Sequence, residues 1–243
     1  MGRSCSTFFI EHDIKFSSKV FVVLDENCPT RPTTLQNIHK IAKNIFRSFN
    51  KNVMNKINYK SNISFSAKFK NPVEILKKDI AGNYAPYEVA FIELEPNNKN
   101  DIKALANLNK YWSDKEQYVS SIYATALELR DNEDLQNFTR IFAVTEQNDK
   151  FEKLNDEKIL GLTEVSTRKP KEYYISYIQV NPRNVFSISP EFKRVGTKIL
   201  DSIKSFANRI LLSPSSHDTA IFYEQNGFKP SKFSHSIFEW IKR

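Results

Sequence analysis

The chain has 243 residues, 40% of them hydrophobic and 26% charged, with a formal net charge of +8. This composition is that of a folded protein with enough apolar residues for a core, so wholesale disorder and collagen-like structure are excluded. Only 5 residues are glycine, and none are arranged as G-x-x-x-x-G-K or G-x-G-x-x-G, which excludes the glycine-rich nucleotide-binding loops.

The sequence carries no sign of a membrane span, a secretory signal or a metal site. No uncharged apolar run approaches the roughly 20 residues of a membrane-spanning helix, and the N-terminus lacks the secretory pattern. Cys5 and Cys28 form no C-x-x-C pair, and the 4 histidines are too dispersed for H-E-x-x-H. We therefore expect a soluble cytoplasmic protein without a bound metal and with reduced thiols, although the sequence leaves a disulfide between Cys5 and Cys28 open.

The basic excess lies entirely in the first third of the chain. Residues 1–85 contain 14 Lys and Arg against 6 Asp and Glu, whereas residues 86–243 contain 22 of each kind. Two strands, near residues 8–14 and 20–24, are predicted first, followed by an amphipathic helix that begins at residue 33 or 34. The polar face of that helix carries four basic residues, Lys40, Lys43, Arg47 and Lys51.

A polar stretch over residues 50–70, with one short strand near Phe65, is predicted to be a loop and is the best candidate for a domain boundary. From Pro86 onwards the pattern becomes regular. We therefore divide the chain into a basic N-terminal α/β extension, residues 1–85, and a larger domain, residues 86–243.

The larger domain is predicted to be a mixed α/β layer structure. Its apolar periodicity and turn residues define the elements in chain order. They are a strand at 88–95, one or two helices within 101–131, strands at 139–145, 159–165 and 173–180, a helix whose apolar positions run from Phe192 to Phe206, a strand at 209–212, a short helix at 218–225 and a strand at 236–240.

Four segments of the larger domain carry residues that point to a family. They are, in chain order, Ile159-Leu160-Gly161, Tyr177-Ile178-Gln179-Val180-Asn181-Pro182, Val195-Gly196-Thr197-Lys198-Ile199-Leu200 and Phe222-Tyr223-Glu224-Gln225-Asn226-Gly227-Phe228. In order and spacing they resemble the GNAT superfamily of acyl-CoA-dependent N-acyltransferases, over roughly residues 86–243. The last segment is the most specific, because it is close to the FYEKxGF motif of that family.

The resemblance implies a GNAT-like, mostly antiparallel central sheet with a splayed pair of strands, flanked by helices. In the family, the pantetheine arm of the acyl donor acetyl-CoA lies between the splayed strands, here residues 173–180 and 209–212, and bonds to main-chain groups. The pyrophosphate lies at the N-terminus of the following helix, where free N–H groups and the helix dipole favour an anion. The implied cofactor-binding residues are Ile178, Gln179 and Val180 for the arm, and Lys193, Arg194, Val195, Gly196 and Thr197 for the pyrophosphate.

The loop before this helix departs from the family pattern. The usual signature is Gln or Arg, two further residues and then Gly-x-Gly, whereas this chain has Glu191 first and Arg194 in place of the first glycine. A side chain at that position either crowds the pyrophosphate or turns outward, but the cationic Lys193 and Arg194 can compensate by contacting phosphates. A gapped alignment, which matches residues 190–193 to the PEYR of the family, implies a shortened loop; the ungapped one is preferred because it keeps the helix register.

Tyr223 is the predicted proton donor. It matches the tyrosine that, in many family members, stands near the CoA sulfur and protonates the leaving thiolate. An unperturbed phenol has a pKa near 10, so it is protonated at neutral pH and suits this role. The alternative is that Tyr223 only packs beside Phe222 and Phe228.

The base that accepts the proton of the attacking amine is less defined. Some family members carry a glutamate on the splayed strand, at a place that falls here to Tyr174. Glu172, two residues earlier, and Glu164, on the preceding strand, are the candidates, acting directly or through water. The alternatives are that both are solvated carboxylates, and that water alone carries the proton away.

Three interpretations of the basic N-terminal segment stay open. Its helix face can be merely solvated, or the segment can hold an anionic partner such as a nucleic acid or an acidic protein. The third interpretation is membrane anchoring, because the N-terminus fits the M-G-x-x-x-[ST] pattern with Gly2 as the myristoylation site and Cys5 as a palmitoylation candidate. Anchoring applies only if the protein is made in, or delivered into, a eukaryotic cell.

The resemblance implies an N-acetyltransferase that moves an acetyl group from acetyl-CoA to a primary amine by direct attack, without a covalent enzyme intermediate. The acceptor is a protein lysine, a protein N-terminus or a small amine, and no motif distinguishes them. The alternative is a catalytically degenerate GNAT-fold binding module, motivated by Glu191, Arg194 and the missing glutamate at Tyr174. Such a module would use its basic N-terminal third to hold a nucleic acid, an acidic protein or a membrane surface.

Overall fold

The computed structural model describes residues 67–113, 118–148, 151, 153–232 and 234–243, which lie within one compact unit. No helix in these ranges is long and apolar enough to cross a membrane. The predictions for the first 66 residues lie outside the described part of the chain. They include the two N-terminal strands, the basic helix, the thiols of Cys5 and Cys28 and the lipidation at Gly2 and Cys5.

The described residues form nine strands and six helices. The strands are β1 (Lys68–Lys78), β2 (Tyr84–Glu93), β3 (Thr139–Thr145), β4 (Ile159–Lys169), β5 (Glu172–Val180), β6 (Phe192–Lys193), β7 (Arg209–Leu212), β8 (Lys229–Ser231) and β9 (Ser234–Ile241). The helices are α1 (Lys99–Trp112), α2 (Tyr118–Asp131), α3 (Glu133–Gln136), α4 (Pro182–Val185), α5 (Val195–Phe206) and α6 (His217–Gln225), and a 3₁₀ turn covers Asp156–Lys158.

All nine strands belong to one sheet, in the order β6-β1-β2-β3-β4-β5-β7-β9-β8. Every described pairing is antiparallel except that of β5 with β7, which is parallel. Parallel neighbours need a crossover connection, and here it contains α4, β6 and α5. The predicted mixed α/β fold with a mostly antiparallel sheet is therefore confirmed.

Helices cover both faces of the sheet, and each face has its own apolar core. On one face α1 and α2 pack over buried residues that include Ile92, Leu105, Ile122, Leu129, Ile141 and Leu162. On the other face α5 and α6 pack over a second cluster that includes Phe91, Phe142, Val144, Ile199, Ile203, Ile210 and Tyr223. The strands alternate between these clusters, because successive side chains of a strand point to opposite faces.

Local capping explains where two of these helices begin. The side chain of Asn98 accepts a hydrogen bond from the N–H of Asn100 at 2.8 Å and starts α1. Ser216 and Thr219 form a capping box at the start of α6. Each satisfies N–H groups that have no partner within the helix.

The structure differs from the sequence-based expectation in several places. β1 occupies a lysine-rich stretch predicted to be loop as far as residue 70 and left unassigned beyond it, and β8 was not predicted. Phe192 belongs to β6 and not to the following helix, which begins at Val195. The predicted boundary between residues 85 and 86 falls inside β2, so residues 67–85 share the sheet of the larger domain.

Gly161 allows α5 to approach β4 closely. A Cβ atom at this position would lie 2.9 Å from Ile199 Cδ1 and 3.0 Å from Val195 Cγ1. Both distances are shorter than the usual carbon–carbon contact of roughly 3.5–4.0 Å. A residue with a side chain at 161 would therefore push the helix away from the sheet.

The variant Gly161→Ala is expected to lower the free energy of unfolding by about 1–3 kcal/mol, the cost of overpacking a core. Urea unfolding followed by circular dichroism measures the change. Because Ile199→Val removes the Cδ1 atom, the double variant should lose less stability than the sum of the single variants. Strict additivity would show that this contact is not the cause.

Candidate functional site

A gap in the strand pairing begins where β7 ends beside β5. β5 pairs with β4 from Glu172 to Val180, but it pairs with β7 only from Glu172 to Ile175. In the described sheet, the main chain from Ser176 to Val180 therefore has no strand partner on the β7 side. The predicted splay is present, and the predicted pantetheine-binding residues Ile178, Gln179 and Val180 line it.

The first turn of α5 lies beside this opening. A Cβ atom on Gly196 would come within 3.2 Å of Phe222 Cζ and 3.6 Å of Val180 Cγ2. The end of β5, the start of α5 and the helix α6 therefore meet at Gly196. A larger residue there would separate α5 from α6.

Arg194 turns the chain into α5 in a left-handed conformation, with φ 68° and ψ 10°. It is the N-cap residue, and its side chain makes no capping hydrogen bond. The first N–H groups of a helix have no partner within the helix and carry the positive end of its dipole, so this terminus suits an anion. Arg194 thus has the backbone conformation that glycine adopts most readily, at the position where the resemblance implies a glycine.

The other residues of the predicted pyrophosphate site differ in how far they are exposed to solvent. Val195 is buried, whereas Gly196 and Thr197 are half-buried in the first turn of α5. Lys193 precedes the helix in β6, and its Nζ lies 3.8 Å from the centre of the Tyr84 ring. A direct phosphate contact by Lys193 stays a prediction, and it would require the ammonium group to leave that ring.

Tyr223 lies on α6 and is only 6% exposed. Its ring centre is 5.3 Å from that of Phe222 and 5.8 Å from that of Phe228. Burial, with smaller Coulombic contributions from Tyr118 and Tyr174, raises the pKa of Tyr223 to about 12. The phenol is therefore protonated at neutral pH, and the packing contacts expected from the alternative role are present too.

The structure separates the two candidate bases. Glu164 lies on β4 opposite Tyr177, which belongs to the part of β5 that borders the opening, whereas Glu172 is at the other end of β5 from Val180. Glu164 is 3% exposed and its Oε2 has no hydrogen-bond partner. The pKa of Glu164 is raised, mainly because the carboxyl group is buried. Hydrogen bonds with Thr125 and Ser176 oppose this rise, and the nearby charge of Glu128 adds to it.

The side chain of Gln179 links β5 to the start of α2. Its Oε1 accepts a hydrogen bond from the N–H of Val119 at 2.7 Å, and its buried Nε2 has no partner. Next to it the rings of Tyr118 and Tyr177 lie 5.9 Å apart. The sequence pointed to the main chain of Gln179 and missed this side-chain contact, which no local pattern indicates.

Three further residues near the α5 N-terminus were not predicted. Lys78 contacts Ser189, which lies 111 positions further along the chain, and Tyr84 contacts Pro190, 106 positions further along. The third residue, Asn184, contacts Phe192. Contacts over such separations leave no periodic or motif signal in a single sequence. In the described ranges, no group of three or more His, Cys, Asp or Glu residues is placed to hold a metal ion.

Comparison with known proteins finds similar solved structures but no similar sequence family. No family model and no curated protein matches the sequence. An acetyltransferase from Salmonella typhimurium that modifies the N-terminal serine of ribosomal protein L7/L12 is 10% identical, with a TM-score of 0.42 over 64% of this chain and 95% of that one. The Campylobacter jejuni N-acetyltransferase PseH in complex with acetyl coenzyme A is 14% identical, with a TM-score of 0.41 over 63% and 99%. Tetrahymena GCN5 is 14% identical, with a TM-score of 0.38 over 60% and 91%.

The backbone strain at Arg194 predicts a stabilising substitution. A left-handed conformation costs a non-glycine residue about 1–2 kcal/mol, and glycine loses about 0.5–1 kcal/mol through its larger backbone entropy. Arg194→Gly should therefore raise the free energy of unfolding by up to about 1.5 kcal/mol, as measured by urea unfolding.

Lys171→Gly is the matched control, because Lys171 is the other described non-glycine residue with positive φ, at 62°. It lies in the β4–β5 turn and should show a similar gain. A gain at Lys171 with none at Arg194 would show that the arginine side chain offsets its strain through contacts.

The raised pKa of Tyr223 predicts a loss of stability at alkaline pH. The unfolded phenol ionises near pH 10 and the folded one near pH 12, so the protonated form favours folding and its contribution is complete below pH 10. Between these values the free energy of unfolding of the wild type should fall by up to about 3 kcal/mol relative to that of Tyr223→Phe. Urea unfolding of both proteins across this range measures the difference, and parallel curves would contradict the assignment.

Proposed function

We propose that the protein is an acyl-CoA-dependent N-acetyltransferase that acts on a primary amine. The observation that carries the proposal is the gap between β5 and β7, which ends beside the N-terminus of α5. The gap offers unpaired main-chain groups for an extended arm, and the helix terminus offers N–H groups for an anion. A ligand with a linear arm and a pyrophosphate at one end fits both.

The residues at the opening fit acetyl-CoA as the acyl donor. Main-chain groups of Ile178, Gln179 and Val180 would hold the pantetheine arm. The N–H groups of Val195, Gly196 and Thr197 would hold the pyrophosphate, with the charge of the exposed Arg194 beside them. Bound acetyl-CoA supplies a thioester as the electrophile.

The chain's own groups would handle the protons of the transfer. The amine nitrogen forms a bond to the acetyl carbon, the carbon–sulfur bond breaks, and the thiolate leaves. Tyr223 would give its phenolic proton to the thiolate, because the phenol is protonated at neutral pH. Glu164 would take the proton lost by the amine, directly or through water, because its Oε2 is free to accept.

Glu172 is the weaker candidate for the base, because β5 carries it away from the opening. Several residues of β5 lie between Glu172 and the segment from Ile178 to Val180, where the reaction is proposed to occur.

The acceptor stays one of the three classes predicted from the sequence, namely a protein lysine, a protein N-terminus or a small amine. The anionic partner and the lipid anchor likewise stay predictions for residues 1–85.

Binding of acetyl-CoA to the full chain is the first test. Calorimetric titration should show saturable binding, and mass spectrometry of a cell extract incubated with acetyl-CoA and the protein should reveal the acetylated amine. A degenerate binding module would show weak or absent binding of acetyl-CoA and no acetylated product. Absence of binding at high micromolar acetyl-CoA would contradict the proposal.

Once the acceptor amine is identified, kcat can be measured for variants of Tyr223. Tyr223→Phe should lower kcat by about 100-fold or more, the usual contribution of a positioned acid. Its affinity for acetyl-CoA should change little, because the phenol acts only when the thiolate leaves. The matched control is Tyr111→Phe, which changes an exposed tyrosine on α1. Equal kcat values for wild type and Tyr223→Phe would remove Tyr223 from the mechanism.

A further inference from the structure

Residues 181–194 form the loop between β5 and α5. The side chain of Asn184, near the start of this loop, forms hydrogen bonds with the main chain of Phe192, near its end. The Nδ2 of Asn184 donates to the carbonyl of Phe192 at 2.6 Å, and the Oδ1 accepts from the N–H of Phe192 at 2.8 Å. One amide thus satisfies both backbone groups of Phe192, as a neighbouring strand would. This clasp lies two residues before Arg194.

The β1–β2 hairpin binds the three residues that precede Phe192, through the consecutive carbonyl groups of residues 189–191. The N–H of Lys78 donates to the carbonyl of Glu191 at 2.8 Å. The Nζ of Lys78 donates to the carbonyl of Ser189 at 2.8 Å and also contacts the Ser189 hydroxyl. The hydroxyl of Tyr84 donates to the carbonyl of Pro190 at 2.5 Å. The negative ends of these three peptide dipoles therefore face the hairpin.

Cation–aromatic contacts hold the side chains of β6 against the same hairpin. Lys193 Nζ lies 3.8 Å from the ring centre of Tyr84. Lys77 Nζ lies 4.6 Å from the ring centre of Tyr87 and 5.0 Å from that of Phe192. Such contacts contribute about 0.5–2 kcal/mol each, and together they leave β6 little freedom to shift.

These contacts explain how a left-handed arginine persists at the start of α5. A non-glycine residue keeps an unfavourable backbone conformation only where its neighbours determine it. The residues before Arg194 are fixed by Asn184 and the hairpin, and the residues after it by the buried Val195 and Ile199. The middle of the loop adds little apolar packing of its own, since Phe186 is 58% exposed and Ile188 fully exposed.

We propose that Lys78, Tyr84 and Asn184 are positioning residues for the phosphates of acyl-CoA. They hold residues 189–194 in place, so that the first N–H groups of α5 are already ordered before the ligand arrives. Ordering a loop on binding costs affinity. In this chain, the contacts of the β1–β2 hairpin and of the Asn184 side chain would limit that cost. The inference rests on the proposed function.

Two ligands test the inference on the full chain. Acetyl-CoA carries the phosphates, and S-acetylpantetheine carries the same thioester arm without the nucleotide. Calorimetric titration compares the wild type with Tyr84→Phe, which removes one hydrogen bond but keeps the ring for Lys193, and with Asn184→Ala, which removes the clasp. The matched control is again Tyr111→Phe.

The Kd for acetyl-CoA should rise about 5-fold in Tyr84→Phe, as for the loss of one hydrogen bond, and more in Asn184→Ala. The Kd for S-acetylpantetheine should not change. Hydrogen exchange of the free protein should become faster across residues 189–197 in both variants. If Asn184→Ala fails to fold, Tyr84→Phe still gives the comparison.

Two results would overturn the inference while leaving the proposed function intact. One is a wild-type protein that binds acetyl-CoA together with variants that bind it equally well. The other is an equal loss of both ligands, which would indicate general damage to the fold. A wild-type protein that binds no acetyl-CoA would instead remove the proposed function, and this inference with it.

Discussion

The early end of the parallel pairing between β5 and β7 is the constraint on which the candidate site depends. β5 continues to Val180 although its pairing with β7 stops at Ile175. Because the strands are parallel, the chain must cross over between them, and the crossover brings the start of α5 to the unpaired end of β5. One feature of the topology thus supplies both the gap and the positive helix terminus beside it.

The loop before α5 shows that glycine is not the only residue that can form a left-handed turn at the start of a helix. Glycine adopts the left-handed conformation without strain, whereas Arg194 requires its neighbours to enforce it. The chain has few glycines, and it uses the side chain of Asn184 and the β1–β2 hairpin in their place. Such a turn depends in part on hairpin residues that lie 111 and 106 positions away from their partners in the sequence.

The sequence predicted the elements whose signal is local. The bounds of β3 and β7 agree with the predicted ones, and the FYEQNGF segment led to Tyr223. β1 was missed because its lysines hide the alternation that buries Val73 and Ile75. The choice between Glu164 and Glu172 depends on strand register, including a bulge after Glu164, and a register over paired strands is not readable from one sequence.

The β1–β2 hairpin also determines where the protein can be cut for study. A fragment that starts at residue 86 would begin inside β2, without β1 and without Tyr84. The bare edge of β2 would then expose unpaired N–H and C=O groups, which recruit strands from other molecules and cause aggregation. A truncation that ends before Ala67 keeps the sheet edge covered, so only such a truncation can report what the basic N-terminal residues contribute.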